Sequence, residues 1–148
     1  MRISAKGRYG LAAMTYIAAN HQAGSPVTII SIAEKLGISK IYLEQVFSLL
    51  KRAGLVNSIK GAQGGYQLVA APQEINVYDV LAAIELSLVE KTEHTVKEQA
   101  PALDKALQSS VFSLLDETVK KTLVQINLQD ILNETEKEKN AGEFMYFI

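Results

Sequence analysis

Hydrophobic and polar positions change period several times along this chain, and each change marks an element. Tyr9, Ala13 and Ile17, with Ala12 and Tyr16 beside them, recur at helical spacing and predict a first helix over residues 4–20. Gly24 and Pro26 then break it. Thr28 is suited to cap a second helix ending at Leu36; Gly37-Ile38-Ser39 makes a turn, and Ser39 caps a third helix running to about Ala53, with Gly54 just past its end. Ile38, Leu43, Val46, Leu49 and Leu50 form the buried side of this third helix, leaving Lys40, Ile41, Tyr42, Glu44 and Gln45 on or near the other. Residues 55–59 and 66–69 read as two short strands joined by Lys60-Gly61-Ala62-Gln63-Gly64-Gly65, and Pro72 closes the hairpin.

The second half is plainer. Val77, Val80, Leu81 and Ile84 place the inward face of a fourth helix over residues 76–86, followed by a polar, irregular segment over residues 87–99. Pro101 is well placed to open a long helix. Leu103, Leu107, Val111, Leu114 and Thr118 follow at spacings of four, four, three and four, with Phe112 and Leu115 widening the stripe. A helix of about 20 residues is roughly 30 Å long. A small domain has little core left for it to cover, so the stripe is expected to bury itself against a second copy. A short helix over residues 128–133 is expected next, then a charged, mobile linker over 134–142 and a compact apolar end, Phe144-Met145-Tyr146-Phe147-Ile148.

Residues 31–66 carry the functional signal. Ala33 lets two helices cross closely, Gly37 permits the bend, and Leu43 plugs the shared core, as a helix-turn-helix requires. A helix for the major groove followed by a basic, glycine-rich wing is suited to DNA. Glu44 and Gln45 are the candidates for base edges, with Glu44 able to accept from cytosine or to orient neighbouring lysines. Tyr42 suits a sugar or phosphate contact, or packing beside the wing. Lys6, Arg8, Lys51, Arg52 and Lys60 are assigned to phosphates. Ser39 and Lys40 at the helix start, and Gln63 and Gly64 in the wing, complete the candidate set.

Charge sharpens this reading. The net charge of −1 hides a division: residues 1–70 hold eight Lys/Arg and two Asp/Glu, or +6, while residues 71–148 hold seven and fourteen, or −7. A phosphate-binding surface needs that local excess of cations. Arg2, Lys6 and Arg8 before an apolar run imitate a signal peptide, but Thr15 and Tyr16 interrupt the run and the positions fit a helical face. No stretch reaches the roughly 20 apolar residues of a membrane span. There is no cysteine, which excludes disulfides and thiol chemistry and fits a cytoplasmic protein. The two histidines, His21 and His94, lie apart in expected loops, and the glycine loop lies between strands rather than before a helix, so no catalytic constellation forms. His94 with Glu90, Glu93 and Glu98 is read as a solvated acidic loop in preference to a metal site.

Three motifs in register resemble the Rrf-type family of winged-helix regulators: Ile3-Ser4-Ala5-Lys6-Gly7-Arg8-Tyr9-Gly10; Tyr42-Leu43-Glu44-Gln45 with Leu49-Leu50-Lys51-Arg52-Ala53-Gly54-Leu55-Val56; and the loop over residues 61–66. The resemblance covers roughly the first 85 residues. It implies a homodimer on a partly palindromic double-stranded DNA operator, and it supports Glu44 and Gln45 as readout residues. Many members hold an iron–sulfur cluster on three cysteines after the fourth helix; a chain without cysteine cannot supply those thiolates, so no cofactor is expected. Lys60 stands where many relatives have arginine, which keeps the charge and loses the planar fork. Ile41 replaces a small polar residue of some relatives, which points to a different preferred operator.

The chain particularly resembles cluster-free members that repress cysteine-metabolism genes, including at its apolar end. In such repressors the partner is cysteine synthase, whose substrate site accepts a peptide ending in isoleucine; the resemblance therefore implies a partner-binding role for Met145, Tyr146, Phe147 and Ile148, against the alternative of a simple structural end. The expected fold is mainly α with a small β-hairpin: a winged helix-turn-helix over residues 1–86, a connecting loop and dimerisation helix over 87–133, and a flexible tail over 134–148. The expected function is cluster-free, homodimeric repression of sulfur or cysteine metabolism. Two alternatives stand beside it: a metal- or small-molecule-responsive sensor using residues 87–99, and an interaction module acting through the tail.

Overall fold

The computed structural model describes residues 3–21 and 24–146, with backbone alone for residues 144–146. It is mainly α with one two-stranded hairpin, a winged helix-turn-helix continued by long helices. Helix α1 (Ala5–Ala19) is capped by Ser4, whose side chain accepts from the Gly7 N–H. Helix α2 (Ile29–Leu36) is capped by Thr28 and ends on Gly37 in the left-handed conformation, φ 65°. Helix α3 (Lys40–Arg52) is capped by Ser39, and Gly54 follows it at φ 77°. These caps are where side-chain chemistry places them, because each satisfies an end group the helix cannot.

Strands β1 (Val56–Ile59) and β2 (Gly65–Leu68) pair antiparallel, with Val56 opposite Leu68 and Ile59 opposite Gly65. A third segment joins them. Val27 and Tyr66 exchange both backbone hydrogen bonds, at 2.9 and 2.8 Å. Residue 65 must be glycine for this approach, since a Cβ there would stand 2.5 Å from the Val27 carbonyl oxygen. The wing is therefore fastened to the loop before α2.

The core is built from one face of each helix. Met14, Ile17, Ile32, Leu43, Val46, Phe47, Leu50, Val56, Val80 and Leu128 are all essentially inaccessible. Phe47, outside the expected set, is the largest of them and stacks on Tyr66 at a centroid distance of 4.5 Å, tying α3 to the wing. Leu49, expected inside, is half-buried. Helix α4 (Val77–Ile84), capped by Asn76, buries Val77, Val80 and Leu81 as expected.

A short helix α5 (Leu86–Val89) leads into the irregular segment. The long helix then forms as α6 (Pro101–Leu107), a π-helical stretch (Gln108–Phe112) and α7 (Ser113–Val124) in one unbroken run. That run is about 36 Å long at about 1.5 Å per residue. Helix α8 (Leu128–Tyr146) departs from expectation. The sequence reading ends it at Asn133 and continues as a mobile linker; the structure keeps residues 134–142 helical. Its start is fixed by a reciprocal cap between Asn127 and Asp130 and by backbone bonds to Ile75 and Val77. Glu134–Lys137 and Glu136–Lys139 pairs lie along its exposed length, so composition poor in apolar residues is no bar to helix where charges alternate at helical spacing. Phe147 and Ile148 lie outside the described residues. Among the described residues no helix is long and apolar enough to cross a membrane.

Candidate nucleic-acid interface

Helix α3 is amphipathic, and its burial orients it. With Leu43, Val46, Phe47 and Leu50 pinned in the core, Lys40, Ile41, Glu44, Gln45, Lys51 and Arg52 are left exposed. Ile41, Gln45, Ser48 and Arg52, at offsets of four, seven and eleven, fall on one line along this face. Ser48 is exposed and is a candidate the sequence reading omitted; the 3.6-residue period carried the signal. Ile41 is 70% exposed and suits contact with an apolar base edge.

The other candidates occupy distinct positions. The Ser39 hydroxyl accepts from the Tyr42 N–H at 3.4 Å and so serves as the helix cap. Lys40 Nζ lies 3.9 Å from Glu44 Oε1 with both side chains more than half exposed, a pair that orients the lysine and adds little stability. Tyr42 is half-buried and meets Tyr9 edge to face, 5.3 Å between ring centroids, so it packs on α1 rather than standing free. Lys6 is half-buried and Arg8 exposed on the first turns of α1, with Arg8 Nη1 donating to the Ile3 carbonyl at 3.0 Å. Lys60 and Gln63 are exposed at the wing tip. Gly64 lies against the Ile59 carbonyl oxygen, where a Cβ would collide with backbone, so it shapes the wing.

Residues 92–96 are clipped to the long helix by three side chains. Asp104 is buried and accepts from the Thr95 and Val96 N–H groups at 2.9 and 3.0 Å and bonds His94 Nδ1. The His94 hydrogen bond, then that of Val96, holds the Asp104 carboxyl below its ordinary range against the opposing effect of burial. Gln108 Nε2 donates to the Thr92 and Glu93 carbonyls at 3.3 and 3.1 Å, and Asp116 accepts from Thr92 N and Oγ1. The sequence reading places His94 in a solvated acidic loop; instead it takes part in this clip. Between clip and helix lies a polar cavity of about 490 Å³.

The expected dimerisation stripe is largely uncovered. Leu103, Val111, Leu114 and Leu115 are 55, 42, 58 and 56% exposed, Leu107 is half-buried and Thr118 exposed. Of the tail candidates, Met145 and Tyr146 are described in backbone only, and Phe147 and Ile148 not at all.

The family model described as Rrf2, "Iron-dependent Transcriptional regulator", matches residues 3–134. The HTH-type transcriptional regulator IscR of Photorhabdus laumondii is 37% identical over 142 residues, covering 96% of this chain and 85% of its own length. The HTH-type transcriptional regulator CymR of Bacillus subtilis is also 37% identical, over the whole of both chains. The solved structure of B. subtilis CymR, described as the global cysteine regulator, superposes with a TM-score of 0.73 at 34% identity, covering 90% of this chain and 98% of that one. An iron centre built on thiolates does not fit: the chain has no cysteine. Among the described residues no three His, Cys, Asp or Glu side chains gather as a metal would need. The chain belongs to the Rrf2 family of DNA-binding transcriptional regulators, and it is a regulator rather than an enzyme.

Proposed function

We propose that this regulator is a homodimeric repressor of sulfur or cysteine metabolism genes that works without an iron–sulfur cluster. The observation that carries the dimer is the uncovered apolar stripe of the long helix, whose four exposed branched side chains would otherwise face water. In the dimer, Gln45 and Glu44 read base edges, Ile41 and Ser48 extend that line, and Lys6, Arg8, Lys40, Lys51, Arg52 and Lys60 engage phosphates. The metabolic assignment rests on full-length similarity to a protein described as a cysteine regulator, together with the absence of thiolate ligands. The test is binding of purified protein, with and without chelator, to DNA upstream of its own gene and of sulfur-assimilation genes. Specific, chelator-resistant binding is expected; binding that requires added iron would overturn the cluster-free reading.

The apolar end is proposed as a ligand for cysteine synthase. Helix α8 runs about 28 Å from Leu128 to Tyr146 at about 1.5 Å per residue, and residues 133–143 along it are exposed. The Ile148 carboxylate would be captured by backbone N–H groups, with Met145, Tyr146 and Phe147 beside it. A peptide of the last ten residues is expected to compete with the amino-acid substrate of cysteine synthase, and its C-terminal amide is not. Absence of binding by the free acid at high micromolar concentration in calorimetry would reject this partner.

A further inference from the structure

Glu85 lies where the DNA-binding body ends. Its backbone N–H donates to the Leu81 carbonyl at 2.6 Å, closing α4, and its own carbonyl accepts from the Leu88 N–H at 3.1 Å, opening α5. Its side chain turns back to the other end of the body: Oε1 accepts from the Ser4 N–H at 2.6 Å, across 81 positions of sequence. Ser4 in turn caps α1 through Gly7, at 3.1 Å. A carboxylate here faces the positive end of α1 and makes a charge-assisted bond, stronger than a neutral one.

Gly7 belongs to the same arrangement. A Cβ at residue 7 would lie 2.5 Å from Glu85 Oε1 and 2.9 Å from Ile3 Cγ2. Glycine in a helix interior normally weakens the helix. Here it leaves the space that the carboxylate occupies. Lys6 and Arg8 flank it, and Arg8 bonds the Ile3 carbonyl at 3.0 Å. The first turn of α1 is thus held from two sides, by Glu85 at its cap and by Arg8 before it.

We propose that Glu85 is a positioning residue for DNA binding: by holding Ser4, it sets where Lys6 and Arg8 meet the phosphate backbone. The inference rests on the DNA-interface reading above. It also ties that contact to the point where the chain leaves for the connecting segment, so the two move together.

The test uses full-length wild type, Glu85→Ala, Glu85→Gln and Gly7→Ala. Each is titrated by fluorescence anisotropy against a labelled duplex of its own upstream DNA over a salt series, and amide hydrogen exchange is followed in the free protein. In Glu85→Ala, exchange at residues 4–8 should rise by about tenfold or more while that of α3 stays as in wild type. Its salt slope should become shallower by up to about 3.6, from two cations per protomer at about 0.9 each in a dimer. Glu85→Gln keeps an acceptor for Ser4 and should restore exchange to within about threefold of wild type and the salt slope to within about 0.9 of it. Gly7→Ala, which in an ordinary helix stabilises, should instead imitate Glu85→Ala. Wild-type exchange and slope in Glu85→Ala overturn the proposal, as does Glu85→Gln failing to the same depth. If the wild type itself binds no duplex specifically, the DNA-interface reading falls first and this inference with it.

Discussion

Replacing Lys60 by alanine separates the two kinds of contact this interface is built for. Lys60 stands exposed directly after β1, at the mouth of a loop whose Gly61 has φ 110°, and among the described residues its side chain makes no hydrogen bond or ion pair. Each neutralised phosphate contributes about 0.9 to the slope of log K against log salt. A dimer carries two wings, so Lys60→Ala should make the slope shallower by about 1.8. Between about 50 and 200 mM salt, the ratio of wild-type to variant affinity should then shrink by about twelvefold, since a fourfold change in salt is raised to that difference. Gln45→Ala is the control with opposite character. It removes a neutral side chain from the same exposed face, so the slope should stay that of wild type. Affinity for the operator should fall by about 1–3 kcal/mol per half-site, with much less loss on unrelated DNA. Anisotropy titrations at four salt concentrations with operator and scrambled duplexes measure both. A Lys60→Ala slope equal to wild type, together with Gln45→Ala unchanged in sequence preference, would refute this use of helix and wing.

Other perturbations address other parts of the molecule. Leu107→Glu combined with Leu114→Glu puts charges into the apolar stripe, and light scattering should show monomers that have also lost specific DNA binding; a stable dimer would exclude that stripe as the interface. Gly10→Ala should destabilise by about 1–3 kcal/mol despite the usual benefit of alanine in a helix, because its Cβ collides with Ile84 Cδ1 and lies 3.1 Å from Val46 Cγ1. In thermal melts this is a fall of roughly 2–12 °C, at about 2–4 °C per kcal/mol for a chain of this size. Asp104 is held below its ordinary range, so its hydrogen bonds contribute fully above about pH 4 and are lost as pH falls further. Protection of the Thr95 and Val96 amides, taken against an unstructured peptide at the same pH, should fall in that acid window, and in Asp104→Asn it should already be lower at neutral pH.

Much of the winged helix was legible because its boundaries are written in single residues. Ser4, Thr28, Ser39 and Asn76 each cap a helix with their own side chain, and Gly37 and Gly54 each adopt positive φ at a helix end. What escaped depends on partners distant in sequence. Val27 pairs with Tyr66 as a single bridge, too short for any period-2 pattern. Residues 92–96 look solvated until Asp104, Gln108 and Asp116 supply their hydrogen bonds. Glu85 looks like the polar end of a helix until Ser4 is brought against it. The long C-terminal helix escaped for another reason. Hydrophobic periodicity finds helices that bury a stripe, and residues 133–143 of α8 are all exposed.

The dimensions of α3 divide labour among its own candidates. Lys40 and Lys51 are separated by eleven residues, hence by about 16 Å along the axis at about 1.5 Å per residue. The major groove is about 12 Å wide. A helix that enters it by its N-terminal half, as a recognition helix does, would therefore bring Ile41, Glu44 and Gln45 to base edges, with Lys40 at the phosphates beside the helix start. The same placement carries Lys51 and Arg52 beyond the groove, where phosphates lie. Ser48 falls at the border between the two groups. Leu43, Val46, Phe47 and Leu50 are buried along the whole of α3, and Phe47 is stacked on the wing residue Tyr66, so the helix is held against the body with Ile41, Gln45, Ser48 and Arg52 on its outer line. Wing and helix consequently approach DNA as one rigid unit. A substitution at Phe47 should damage readout at Gln45 and phosphate contact at Lys60 together, although it touches neither.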